Sequence, residues 1–95
     1  MTKEESLEGK LERYLALTRE ALEVAGKNAS KENKERAKEF LGMAQDYYND
    51  ALFFKSKGDH ATALAAASYA HAWLDAGARM GFFDVKGNNR LFVVD

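Results

Sequence analysis

Two apolar stripes at helical spacing, joined at Gly58-Asp59, constrain this chain more than any other feature. The first runs through Ala37, Phe40, Leu41, Ala44, Tyr47, Tyr48, Ala51 and Leu52 to Phe54, the three-to-four spacing of an amphipathic helix. The second lies between Ala61 and Ala78, where nine of eighteen residues are alanine, the strongest helix former and one that lets backbones approach closely. Gly58 is placed to end one helix and Asp59 to cap the next. If the two fold back about this turn, residues whose numbers sum to about 117 lie at one level. Phe40 then faces Gly77, Ala44 faces Trp73, Tyr47 faces Ala70, Ala51 faces Ala66 and Phe54 faces Ala63, so large residues meet small ones at nearly every level, as close packing of antiparallel helices requires.

A third stripe precedes them. Leu7, Leu11, Tyr14, Leu15, Leu22 and Ala25 repeat at helical spacing and Gly26 follows, which predicts a first helix ending there. Ser30 is expected to cap the second. No proline occurs anywhere to break these elements. The reading is an all-α, up-and-down three-helix bundle, with helices over about 3–25, 31–57 and 60–80 and an extended or hairpin-like tail over 82–95. In the tail, β-branched and aromatic residues flank Lys86-Gly87-Asn88-Asn89, which is turn chemistry. A lone hairpin is marginal in water, so this segment has to pack on its own bundle or on a second copy.

At 95 residues and 10.6 kDa the chain makes one small domain. Fourteen basic residues against fifteen acidic give a formal charge of −1, which argues against a strongly basic nucleic-acid module. Residues 60–95 hold only three of each sign, so that part is expected to be enclosed or covered. There is no cysteine, which excludes disulfides, thiolate metal sites and cysteine nucleophiles. No signal peptide and no run of membrane-spanning length is visible, so a cytoplasmic protein is expected, without membrane partners.

The stretch Tyr47-Tyr48-Asn49-Asp50-Ala51-Leu52-Phe53-Phe54 through Lys57-Gly58-Asp59, with Tyr69-Ala70-His71-Ala72-Trp73-Leu74-Asp75-Ala76-Gly77 and Gly81-Phe82-Phe83-Asp84-Val85, resembles a small archaeal family catalogued as domain of unknown function 357. The resemblance covers nearly the whole chain. It implies a three-helix bundle and an uncharacterised function, and brings no catalytic residues with it. The helical hairpin also resembles a single tetratricopeptide unit, although such arrays need about three units. It further resembles HEPN-type domains, some of which use Arg followed four to six residues later by His; here His71 precedes Arg79.

Chemistry-bearing residues are few. His71, Asp75 and Arg79 recur at four-residue spacing on one face of the third helix, and Tyr47 falls at the level of His71. One reading makes these four a polar pocket with His71 as base or ligand. The plainer reading, which we prefer, makes them a hydrogen-bonded histidine and an ion pair that hold helices together. His60, the other histidine, lies eleven residues away, roughly 16 Å along a helix, so no metal site is expected and no cofactor is implied. Lys27, Lys31, Lys34, Arg36 and Lys38 alternate with Glu32, Glu35 and Glu39, which reads as a solvated face.

Apolar residues are in surplus. Leu17, Val24, Met43 and Phe53 lie off the main stripes, and the tail adds Phe82, Phe83, Leu91, Phe92 and Val93 as a candidate interface. The preferred function is a non-enzymatic interaction or assembly module, with a protein partner or a second copy (a homodimer) as its ligand, through the tail or an exposed helix face. If the tail carries association, removing 82–95 abolishes it and leaves the helices intact. The alternative is a HEPN-like nucleotide or RNA binder using Tyr47, His71, Asp75 and Arg79.

Overall fold

The computed structural model describes residues 5–93 and contains three helices: α1 (Leu7–Lys27), α2 (Lys34–Ser56) and α3 (His60–Arg79). The starts of α1 and α3 and the ends of all three have local reasons. Ser6 Oγ accepts from the Gly9 N–H at 3.0 Å and so caps α1. That helix runs through Gly26 instead of ending there, and Asn28 closes it, its side-chain amide donating to the Val24 carbonyl at 2.7 Å. At the end of α2 the Asp59 N–H bonds the Phe54 carbonyl and the Gly58 N–H bonds the Lys55 carbonyl, each at 3.0 Å, with Gly58 at φ 77°. This Schellman turn hands the chain directly to α3, because the Asp59 carboxylate also accepts from the Thr62 N–H.

The expected cap of α2 at Ser30 is not made. Residues 28–30 pair with 82–84: the Ser30 N–H bonds the Phe82 carbonyl, the Asp84 N–H bonds the Asn28 carbonyl, both at 2.8 Å, and Ala29 bridges Phe83. Residues 31–33 then form a turn, and α2 begins at Lys34 with Asn33 at the cap position, making no side-chain cap hydrogen bond.

α3 is the central helix, packed on both α1 and α2, which touch each other less. The molecule is accordingly flat, its Cα atoms spanning 44 × 32 × 16 Å. Buried side chains form two groups. Leu11 and Leu15 of α1 pack on Ala51, Ala63, Ala66 and Ala67 near the α2–α3 turn. At the far end the helices contribute mostly alanine (Ala21, Ala25, Ala37 and Ala44, with Leu74), and the tail supplies Phe82, Phe83, Val85, Leu91 and Phe92. Half the core thus consists of small helical residues with large tail residues set into them.

The tail is therefore neither a self-paired hairpin nor a free arm. It is a strap that leaves α3 through a second Schellman turn at Gly81, crosses the α1–α2 connection and turns at Lys86-Gly87. It then returns along α3. The turn has φ 52° at Lys86 and 71° at Gly87, and the Asn88 N–H closes it on the Val85 carbonyl. The strap also corrects the helix-to-helix matching. A Cβ on Gly77 would lie 2.2 Å from the Phe83 ring, so the notch assigned to Phe40 holds Phe83. Phe40 instead stands edge-on to Trp73 and to Phe82, with centroids 4.9 and 5.0 Å apart.

Candidate functional site

His71 lies where α1, α3 and the strap meet. Its Nε2 is 2.6 Å from the Leu91 carbonyl oxygen, which can only accept, so the proton sits on Nε2. Its Nδ1 is 3.0 Å from the hydroxyl of Thr18, a side chain with no exposed surface in the middle of α1. With the neutral ring, Thr18 donates to Nδ1, and both nitrogens are engaged. One turn along, the Asp75 carboxylate accepts from the Val93 N–H at 3.0 Å and lies 3.8 Å from His71 Nε2. His71 and Asp75 thus bind the main chain of the strap at two points two residues apart.

A shallow hollow of about 360 Å³ opens beside them, lined among others by Tyr14, Ser68, His71, Asp75 and Arg90. Two of its polar groups, those of Ser68 and Arg90, are committed elsewhere. The Ser68 hydroxyl donates to the Leu64 carbonyl within α3. Arg90 pairs with Glu20 on α1, and this hydrogen-bonded guanidinium holds the Glu20 carboxyl below its ordinary value. What this arrangement does chemically is fasten the strap to α1 and α3.

The other two residues of the expected pocket are elsewhere. Tyr47 stacks at a tilt on Tyr69, with centroids 5.4 Å apart. Arg79 is exposed in the last turn of α3, two turns beyond His71. The four side chains do not form one pocket. Among the described residues, no three His, Asp or Glu side chains gather as a metal site would need, and no helix is long and apolar enough to cross a membrane.

The candidate interface residues are redistributed too. Phe82, Phe83, Leu91 and Phe92 are at most 8% exposed, in the core of their own chain, and only Val93 is open. The strap accounts for part of the apolar surplus, since Leu17 and Val24 pack against the core it completes. Phe53 stays exposed, with the Lys57 ammonium 5.5 Å from its ring centre.

A different apolar surface is left open. Phe40, Tyr69, Ala72, Trp73, Ala76 and Met80 line a groove of about 320 Å³ along the outer face of α3. Tyr69 is 60% and Met80 63% exposed there. Among the described residues, no charged side chain lines this groove. Reading α3 as one partner of a hairpin missed it. The signal lay in Ala65, Tyr69, Ala72, Ala76 and Met80, a second stripe at three-to-four spacing on the side away from the core. Thr18 and Leu91, which hold His71, left no such signal, since either would pass as an ordinary helix or tail residue.

No curated protein and no solved structure matches the chain. One family model matches residues 13–83, which include His71, Asp75 and the groove up to Met80. The strap beyond Phe83 lies outside the match, including Asp84 and Val85 of the segment that carried the resemblance. By that match, over more than two thirds of its length, the chain belongs to the family described as protein of unknown function DUF357.

Proposed function

We propose that this chain is a non-enzymatic protein-interaction module whose contact surface is the outer face of α3. The observation that supports it is the contrast between two sets of apolar side chains. Those of the strap, Val93 apart, are enclosed, whereas Tyr69 and Met80 stand more than half exposed around Trp73 in a groove lined by uncharged side chains. Contiguous apolar surface of this kind on a small domain marks a site of association, and aromatic residues with methionine are what interface centres favour. The polar groups at His71 support the same reading from the other side, since His71 and Asp75 are engaged in holding the strap. An association carried by Phe83 and Phe92 would require the strap to leave the core.

The test is affinity capture from cells that make the protein, after nuclease treatment, comparing the natural chain with a Tyr69→Lys, Met80→Lys variant. Circular dichroism establishes that the variant is folded. The reading expects proteins held by the natural chain to survive nuclease and to be lost from the variant. The same proteins on both chains, or partners released by nuclease, would overturn it.

A further inference from the structure

We infer that the occupant of the outer α3 face is a second copy of this chain, packed antiparallel about a two-fold axis near residues 72 and 73. The inference rests on the interaction reading above and adds the partner and the register. The six residues involved are Ala65, Tyr69, Ala72, Trp73, Ala76 and Met80, which at 100° per residue fall within one stripe of the helix. Laid against their own reversal, residues whose numbers sum to 145 come together. Ala65 then meets Met80, Tyr69 meets Ala76, and Ala72 meets Trp73. Every pair joins one small and one large side chain, and the two-fold makes each contact twice, as an isologous interface does. Close packing of helices asks for this matching, and an unrelated partner gives no reason for the stripe to complement itself.

Charge permits the same arrangement. Between Ala65 and Met80 the acidic and basic side chains of α3 are those of His71, Asp75 and Arg79. The first two turn to the strap on another face, and Arg79 falls opposite Ala66 of the other copy, with the two Arg79 positions roughly 20 Å apart along the seam. Two copies therefore bring no like charges together along the seam, and their helix dipoles run in opposite directions. Area sets the strength. Two residues more than half exposed, with the accessible parts of Trp73, Phe40 and three alanines, offer on the order of 450 Å² per copy, or about 900 Å² in all. That lies at the low end of specific interfaces, which makes the dimer weak and concentration-dependent.

Sedimentation equilibrium of the purified chain, from about 10 μM to about 1 mM, tests this. A reversible monomer–dimer equilibrium is expected. Ala65→Glu and Met80→Lys, each at an accessible position, should separately weaken the dimer by about tenfold or more. Combined in one chain they should restore it to within about threefold, because the carboxylate introduced at position 65 of one copy then faces the ammonium introduced at position 80 of the other. Within a copy the two positions are roughly 22 Å apart along the helix, too far to pair. Thermal melts of all three variants establish that they fold. A natural chain that stays monomeric throughout, or a double variant no tighter than the single ones, overturns the inference. If the chain is monomeric yet capture from cells still depends on Tyr69 and Met80, the second copy fails and the interaction reading stands. If that dependence is absent too, both fail.

Discussion

His71 owes its position to two acceptor-and-donor partners distant in sequence, the Thr18 hydroxyl and the Leu91 carbonyl. Removing the ring leaves a buried hydroxyl and a half-enclosed carbonyl without partners, which costs about 1–3 kcal/mol. His71→Ala should therefore lower the melting temperature by several degrees, at roughly 4–8 °C per kcal/mol for a domain of this size. Thr18→Val should cost about 1 kcal/mol, and the double variant less than the sum, because the two share one bond. An unchanged melt for His71→Ala would contradict the strap-fastening role. Glycines give a second comparison at this scale. Gly42 has nothing within 4 Å of an added Cβ, whereas Gly77 has the Phe83 ring at 2.2 Å. Gly42→Ala should stabilise by about 0.5–1 kcal/mol through helix propensity alone. Gly77→Ala gains the same propensity, but overpacking a core costs about 1–3 kcal/mol, so its net effect should be destabilising. Chemical denaturation of the two variants side by side reads both signs.

Among the elements, the strap matters most: of the paths left open for the tail, it takes the one on its own bundle. Five of its side chains, Phe82, Phe83, Val85, Leu91 and Phe92, are buried. At about 1.5–3 kcal/mol each their burial amounts to something of order 10 kcal/mol, comparable with the whole stability of a small domain. A chain ending at Gly81 should therefore lose its cooperative thermal transition, instead of keeping intact helices and losing only association. A sharp melt near that of the full chain would contradict this. The helices themselves were legible in the sequence because period and capping are local: Gly58-Asp59 announces its turn, and the stripes of α2 and α3 announce their pairing. What could not be read was set by the contacts the strap makes with the other elements. Ser30 has the chemistry of a helix cap, and nothing local announces that its N–H bonds the Phe82 carbonyl beside the Ala29–Phe83 bridge. Gly77 fits opposite Phe40 in a hairpin of two helices, and only the strap supplies Phe83 for the same notch. His71 and Asp75 were recognisable as a structural pair on spacing alone. That their partner would be the backbone of Leu91 and Val93 depends on a path the tail's composition does not encode.

At the scale of the whole molecule, the flat arrangement decides which surfaces are available. A central helix flanked on two sides and strapped along a third keeps one face open, and on α3 that face carries Tyr69, Trp73 and Met80. The large residues of the tail point inward and those of this face point outward. The interaction reading and the two-fold inference both follow from that division. A concentration series of two-dimensional NMR spectra on the natural chain tests it most directly, since each residue reports for itself. Between about 20 μM and about 1 mM, across the range expected for a small interface, the signals of Ala65, Tyr69, Ala76 and Met80 and the Trp73 indole should move together. Those of Phe83, Leu91 and Phe92 should stay fixed. Movement centred on the strap, or no movement at all with concentration, would contradict the account.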